Sequence, residues 1–149
     1  MNIHVVRPGG DWYSRPDVTL VRDADLFCLP DDCTGAQAFR ACCIRIEKAG
    51  KAIAPPFARR YFDSTADSLL FYGTMPDGTL TPYLDRSTWV SRDFRPADTL
   101  DETLQARIIQ ALCRISLHLS LRIGDFLLFE QTPPTPLRRG DYIDTIAIL

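Results

Sequence analysis

The chain has 149 residues and a mass of 16.8 kDa, a size at which we expect one domain, over residues 1–149, with a substantial core. Its formal net charge of −2 and its pI near 5.6 give no electrostatic reason to expect nucleic acid or an anionic membrane as a partner. No run is as long and apolar as a membrane span, and the first residues lack the apolar core of a signal peptide. We therefore expect a cytoplasmic protein with no membrane partner.

Cysteine and histidine do not predict a metal centre or a disulfide framework. The five cysteines are odd in number and contain no C-x-x-C pair, and the adjacent Cys42 and Cys43 would point to opposite faces of a strand. Only two histidines exist, His4 and His118. The sequence predicts buried thiols in a reducing compartment and no cofactor.

Short runs rich in apolar, branched and aromatic residues predict most of the chain to be strand. The predicted strands cover residues 1–6, 18–22, 26–29, 39–46, 65–72 and 87–91.

Two helices are predicted. Pro55 and Pro56 can open a short one that continues over residues 58–62, since proline is tolerated in the first helical turn. The longer one covers about residues 100–119, with Thr99 and Glu102 as a capping box. Leu104, Ile108, Leu112, Ile115 and Leu119 share one face of this helix, which we expect to pack on a sheet.

The C-terminal part repeats the pattern L-R-x-G-D-aromatic at residues 121–126 and 137–142. In each copy Gly-Asp predicts a turn and the apolar run after it a strand. Pro133, Pro134 and Pro136 lie between the copies and exclude a central strand there, because proline has no N–H to donate. The pattern as a whole indicates an α+β protein that is predominantly β.

Polar residues suggest only weak candidate sites. Asp31, Asp32, Asp63 and Asp67 are more typical of turns and caps than of ligands, and Ser64, Ser68 and Ser91 lack a G-x-S-x-G context. The doublets Arg59-Arg60 and Arg138-Arg139 could bind a carboxylate or a phosphate through paired N–H groups. Arg59 and Arg60 are therefore the candidate anion-binding residues.

Several short motifs, in order and with consistent spacing, resemble the fumarylacetoacetate hydrolase family. The strand core is residues 42–46, the turn is Gly50-Lys51-Ala52-Ile53, and an F-A-x-x-Y helix follows over residues 57–63. Residues 27–30 resemble the F-x-I-P segment, residues 121–125 and 137–140 the two L-x-x-G-D turns, and Thr132-Pro133 the end of the T-G-T-P loop. The resemblance implies a mixed β-roll with one long and one short helix.

The departures from this family concern its chemistry. Its three metal-binding carboxylates align with Phe39, Ala41 and Leu70, whose side chains offer no oxygen to Mg²⁺. The T-A-R-D motif is replaced by residues 72–75, Pro82 stands near a family lysine, and Gln131 replaces the glycine of T-G-T-P. We therefore expect no metal at these positions, and we expect Phe39, Ala41 and Leu70 to pack together as apolar core.

The resemblance leaves three functions open. The first is a non-catalytic homologue that retains a binding or subunit-assembly role, as a homodimer or with an active paralogue. The second is a hydrolase or decarboxylase that acts on a C–C bond of a small acidic oxo-compound through an altered site. The third is a binder of a small carboxylate that uses Arg59 or Arg60.

Overall fold

The computed structural model describes residues 1–22 and 27–138, whose strands form one mixed sheet. The strands are β1 (Ile3–Val6), β2 (Trp12–Arg15), β3 (Leu20–Val21), β4 (Gly35–Ile46), β5 (Phe62–Thr74), β6 (Leu80–Thr81), β7 (Thr88–Val90), β8 (Arg95–Pro96), β9 (Phe126–Glu130) and β10 (Thr135–Arg138). The helices are α1 (Pro55–Ala58) and α2 (Glu102–His118), with 3₁₀ turns at Asp17–Thr19, Arg59–Tyr61 and Ala97–Thr99. The predicted α+β, predominantly β class is confirmed.

The long strands β4 and β5 form the centre of the sheet. The strand order is β2-β1-β9-β4-β5-β7-β3, with β10 beside β4 and with β6 and β8 beside β5. β1 is parallel to β9 and β3 to β7, and the other pairs are antiparallel. Pro136 lies in β10, which pairs with β4 alone among the described strands. The missing proline N–H therefore leaves the central ladder intact.

Helix α2 packs on one face of this sheet, as its apolar stripe predicts. Ile108, Leu112 and Ile115 are fully buried and belong to the same core cluster as Ile44 and Leu127 of the central strands. Because side chains alternate along a strand, the other face carries a second cluster. That cluster contains Ile3, Val5, Phe39, Ala41, Cys43, Ala66, Leu70, Tyr72, Val90, Phe126 and Leu128.

Three predictions about the helices are wrong. Thr99 does not cap α2: it ends a 3₁₀ turn, and the side chain of Asp101 accepts the Leu104 N–H at 2.8 Å instead. Leu100 between them is extended, so the helix cannot begin before Asp101. Leu119 follows the helix and is 41% exposed, outside the packed stripe.

The short helix also differs from its prediction. It begins at Pro55, tightens into a 3₁₀ turn at Arg59 and is over before Phe62, which is the first residue of β5. Phe62 is 1% exposed, and the α2 side of the core holds its ring. Burial of this aromatic side chain in the sheet outweighs the helical pattern.

The strand predictions hold for the centre of the sheet and fail at one segment. Residues 27–29 form no strand, although Phe27 is buried and stacks on Phe71 at 4.7 Å. Leu26, Arg139 and the second Gly-Asp turn at residues 140–141 lie outside the described residues. The first copy forms its turn before β9, as expected, and the Asp125 carboxylate accepts the Arg122 N–H at 2.9 Å.

Candidate functional site

Phe39, Ala41 and Leu70 lie in one buried apolar cluster on the sheet face opposite α2. Phe39 and Leu70 are direct cross-strand partners of β4 and β5, and Ala41 follows on the same face of β4. The exposed fractions are 9% for Phe39, 6% for Ala41 and 0% for Leu70. The predicted packing of these three side chains is therefore present.

A group of polar side chains borders this cluster on the same face. The alternation of strand side chains places Tyr13 and Arg15 of β2, Tyr72 of β5 and Glu130 of β9 there. Ala41 and Glu130 are opposite each other in the β4–β9 ladder. Arg15 is 3% exposed, Tyr72 3% and Glu130 6%, so two ionisable groups of opposite charge are buried next to apolar core.

Two phenols connect these buried charges through hydrogen bonds. The Arg15 Nε–H donates to the Tyr13 hydroxyl at 3.0 Å, the two tyrosine hydroxyls lie 2.5 Å apart, and the Tyr72 hydroxyl donates to Glu130 Oε2. A phenol has only one hydrogen. Since Tyr72 gives its hydrogen to Glu130, Tyr13 must donate to Tyr72, and the chain of donors runs in one direction from guanidinium to carboxylate.

Arg15 is held in place at the start of this chain. Its Nη1 donates to the Ser87 carbonyl at 3.0 Å, to the Ser87 hydroxyl at 3.1 Å and to the Thr88 hydroxyl at 3.2 Å. The guanidinium lies 4.7 Å from the centre of the Tyr72 ring, where a cation over an aromatic face is stabilised. These contacts hold Arg15 through Nε, Nη1 and the Tyr72 ring, while its buried Nη2 has no hydrogen-bond partner among the described residues.

Burial determines the protonation of Tyr72 and Glu130, at the carboxylate end of this series of hydrogen bonds. It raises the pKa of the Tyr72 phenol, and Tyr13 and Glu130 raise it further, so Tyr72 keeps its hydrogen at neutral pH. Burial also raises the pKa of the Glu130 carboxyl, while the Tyr72 hydrogen bond and the charges of Arg7 and Arg15 act in the opposite direction. The balance is a carboxyl group that holds its proton more tightly than an exposed glutamate does.

A cavity of about 340 Å³ opens beside Glu130. Arg7, Phe39, Tyr72, Leu80 and Glu130 line it, so it has a charged pair, a phenol and two apolar walls. The volume is within the range of small-molecule sites in proteins.

Arg7 is placed at this cavity by the tight turn between β1 and β2. Its backbone N–H donates to the Asp11 carbonyl at 2.9 Å. Its guanidinium lies 4.8 Å from the centre of the Tyr13 ring and 3.6 Å from the Asp11 carboxylate. The side chain is 45% exposed, so it combines an aromatic support with open access.

The two arginines named from the sequence lie elsewhere. Arg59 donates to the Phe62 carbonyl at 2.6 Å and to the Asp98 carboxylate, and Arg60 lies 5.3 Å from the centre of the Phe57 ring. Neither lines the cavity. Anion binding by Arg59 or Arg60 remains a prediction, for which Arg59 would have to leave its present partners.

The candidate acidic ligands do not come together. Asp67 accepts from Arg95 at 2.8 Å on the exposed side of β5, and Asp63 is exposed at its start. Over residues 1–22 and 27–138, no three His, Cys, Asp or Glu side chains lie close enough to hold one metal ion. The same part of the chain contains no helix long and apolar enough to cross a membrane.

Sequence reasoning missed Glu130 and its tyrosine partners. Glu130 ends the apolar run F-L-L-F-E, in which a last glutamate is usually the solvated end of a strand. Alternation from Phe126 and Leu128 would have placed it on the inner face. Tyr13 carried no signal, because the β1–β2 hairpin that brings it to the site was not predicted.

Solved structures of similar fold include several enzymes. A protein of Yersinia pestis CO92, provisionally assigned to the fumarylacetoacetate hydrolase family, is 14% identical, with a TM-score of 0.75 over 94% of this chain and 84% of that one. Fumarylpyruvate hydrolase of Pseudomonas aeruginosa, in complex with Mn²⁺ and pyruvate, is 14% identical, with a TM-score of 0.69 over 94% and 82%. Maleylpyruvate hydrolase of Sphingobium sp. SYK-6 is 15% identical, with a TM-score of 0.78 over 94% and 64%.

These likenesses establish the fold. Neither a protein-family model nor a curated protein sequence matches the chain. The fold implied by the sequence motifs is therefore confirmed.

Proposed function

We propose that the chain is a non-catalytic homologue of fumarylacetoacetate hydrolase-like enzymes, with a role in binding a small molecule or in subunit assembly. The observation that carries this proposal is the packing of Phe39 against Leu70, with Ala41 beside them. The sequence resemblance equates these three positions with metal-binding carboxylates. Apolar side chains there offer no oxygen ligand where the enzymes would hold an ion.

The residues present do not fit a divalent metal. Mg²⁺ and Mn²⁺ require several oxygen ligands, and the cluster provides none from Phe39, Ala41 or Leu70. Glu130 is the carboxylate beside Ala41, but one of its oxygens already accepts from Tyr72. A single carboxylate would leave most of the coordination to water. The Mn²⁺ of the Pseudomonas fumarylpyruvate hydrolase structure therefore gives no basis for a metal-assisted step here.

A thermal-shift titration with millimolar Mg²⁺ and Mn²⁺, paired with an assay for acylpyruvate cleavage, tests this proposal. A native-state ligand stabilises by RT ln(1 + [L]/Kd), about 2.7 kcal/mol at a hundredfold excess over Kd. We expect no rise in Tm beyond the small, salt-sensitive response of surface carboxylates and no cleavage. A rise of several degrees that a chelator reverses, together with turnover, would refute the proposal.

The alternative is a hydrolase or decarboxylase of a small acidic oxo-compound with an altered site. The buried Tyr72–Glu130 pair favours it, because a carboxyl group with a raised pKa beside a cavity is a candidate general acid or base. Such an enzyme would cleave its substrate without added metal. Its activity would be lost in Glu130→Gln and kept in Arg122→Met, which changes an exposed arginine outside the cavity.

For the assembly role, we propose a second copy of the chain or an active paralogue as the partner. Phe57 of α1, Leu117 of α2, and Leu119 and Ile123 after it are large apolar side chains that are 41–70% exposed. Light scattering after size-exclusion chromatography would measure the oligomeric state. A dimer that Leu117→Lys and Ile123→Lys convert to monomer supports the proposal, and a monomer at all concentrations contradicts the homodimer.

A further inference from the structure

The cavity beside Glu130 has an acceptor at one part of its wall and a cation at another. Glu130 is the acceptor and Arg7 the cation, while Phe39 and Leu80 supply apolar surface. Sites with separated polar groups and an apolar wall orient a ligand by its two ends.

One oxygen of Glu130 is available to a ligand. Tyr72 donates to Oε2, and among the described residues nothing donates to Oε1. Among the described residues, the fully buried side-chain atoms without a hydrogen-bond partner are His4 Nε2, Arg15 Nη2 and Ser64 Oγ. Glu130 Oε1 is not one of them, so it keeps some exposure. The donor chain from Arg15 through the two tyrosines holds the carboxylate in place, so Oε1 is a pre-positioned acceptor for an N–H or O–H group.

Arg7 offers donors to the same cavity. Its nitrogen lies 3.6 Å from the Asp11 carboxylate, which is longer than a hydrogen bond. The Tyr13 ring supports one side of the guanidinium. The planar guanidinium has five N–H donors, so it can bind a carboxylate through two parallel N–H groups and still contact Asp11 and Tyr72.

The charges around the cavity favour a ligand with no net charge. Arg7 and Arg15 balance Asp11 and Glu130. An anionic ligand that places a second carboxylate near Glu130 would meet like charge in a desolvated site, whereas an ammonium group there would meet the opposite charge. A zwitterion satisfies both ends.

We propose that this cavity binds a small α-amino acid with an apolar side chain. Its ammonium group donates to Glu130 Oε1, its carboxylate accepts from Arg7, and its side chain packs against Phe39 and Leu80. The proposal rests on the proposed binding role and specifies its ligand class. It differs from the acidic oxo-compounds of the enzymatic alternative by requiring a cationic end.

Matched probes separate the two ends of the ligand. L-leucine, 4-methylpentanoate and 3-methylbutylamine share one apolar body and carry respectively both charges, the carboxylate alone and the ammonium alone. Isothermal titration calorimetry at neutral pH, with L-alanine and L-phenylalanine to span ligand size, would measure their affinities. We expect at least one amino acid to bind, and the analogues of L-leucine to bind about tenfold or more weakly than L-leucine, since each lacks a charged hydrogen bond.

Variants assign each end to its residue. Glu130→Gln should lower the affinity for the amino acid more than the affinity for 4-methylpentanoate. Arg7→Met should lower the affinity for the amino acid more than the affinity for 3-methylbutylamine. Arg122→Met is the matched control, because it removes an exposed arginine outside the cavity, and it should leave every affinity unchanged. Circular dichroism of each variant would show whether it is folded, and the probe series on the unchanged protein needs no variant at all.

The outcomes are distinct from those of the proposed function. If no amino acid binds at millimolar concentration, or if 4-methylpentanoate binds as tightly as L-leucine, the ligand class is wrong. Neither result bears on whether the chain binds Mn²⁺ or cleaves acylpyruvates, which the thermal-shift and cleavage assays decide. Amino-acid binding that depends on both Arg7 and Glu130 supports the inference.

Discussion

Ala41 and Glu130 face each other across the β4–β9 ladder and project from the same side of the sheet. Directly opposed side chains in an antiparallel pair have Cβ atoms about 5 Å apart. A carboxylate therefore lies beside the alanine that the sequence resemblance equates with a metal ligand. It comes from another strand, and a phenol already bonds to it.

This arrangement holds the buried Glu130 carboxylate through a neutral donor, the Tyr72 phenol. Arg15 and Glu130 are both buried and interact through Tyr13 and Tyr72 rather than by direct contact. A charge buried without hydrogen bonds would be strongly destabilising. The chain of phenols therefore explains how Glu130 can lie next to Phe39 and Leu70.

Replacement of Leu70 tests whether this part of the sheet is close-packed core. Leu70→Ala should lower the free energy of unfolding by about 2–5 kcal/mol, because Leu70 is fully buried in the second cluster and the change leaves a cavity. Leu70→Met keeps the volume and should cost less than about 1.5 kcal/mol. Urea unfolding gives both values, and equal effects of the two changes would mean that this space is not tightly filled.

Replacement of either tyrosine tests the donor chain. Tyr72→Phe removes the donor to Glu130 and should destabilise by about 1–3 kcal/mol, the typical cost of leaving a buried polar group unsatisfied. Tyr13→Phe removes the acceptor of Arg15 Nε and the donor to Tyr72. Because both act on one chain, the double variant should lose less than the sum of the single losses. If the losses measured by urea unfolding are additive, the two tyrosines do not belong to one series of hydrogen bonds.

Replacement of buried residues in α2 tests the packing of this helix on the other side of the sheet. Ile108→Ala and Leu112→Ala should each destabilise by about 2–5 kcal/mol, because both side chains are fully buried against the sheet. Gln110 is exposed on the same helix, so Gln110→Ala is the control and should change stability by less than about 0.5 kcal/mol. Thermal unfolding in which all three variants behave alike would show that the helix face is misassigned.

The sequence was sufficient for the parts of the fold that depend on local pattern. Ile108, Leu112 and Ile115 repeat at helical spacing, and they pack on the sheet as that spacing predicts. The centre of β4 is similarly clear from its apolar run. Phe62 shows the limit of such patterns, because its burial in β5 depends on a core formed by distant segments.

Only part of the candidate site could be predicted, because the rest of it also depends on contacts between distant segments. Phe39, Ala41 and Leu70 could be named because family motifs flank them on the chain. Tyr13 and Glu130 are 117 positions apart, and the pairing of β1 with β9 that brings their strands together is a long-range contact. A single sequence carries no local signal for such a pairing.

The pH dependence of stability tests the environment of Glu130. Burial raises the pKa of this carboxyl above its usual 4.5, so the folded protein binds the proton more tightly than the unfolded chain. From about pH 4.5 up to the folded pKa, the native state holds more protons and stability falls as pH rises. Glu130→Gln cannot titrate. Its free energy of unfolding minus that of the unchanged protein should therefore increase with pH across this window and then level off.

Urea unfolding at a series of pH values gives this difference directly, and titrations shared by both proteins, such as that of the buried His4, cancel in it. The Tyr72→Phe background provides a second comparison. It removes a hydrogen bond that lowers the pKa of Glu130, so the difference should go on increasing to a higher pH before it levels off. A difference that does not change with pH in either background would mean that Glu130 is no more basic than an exposed glutamate.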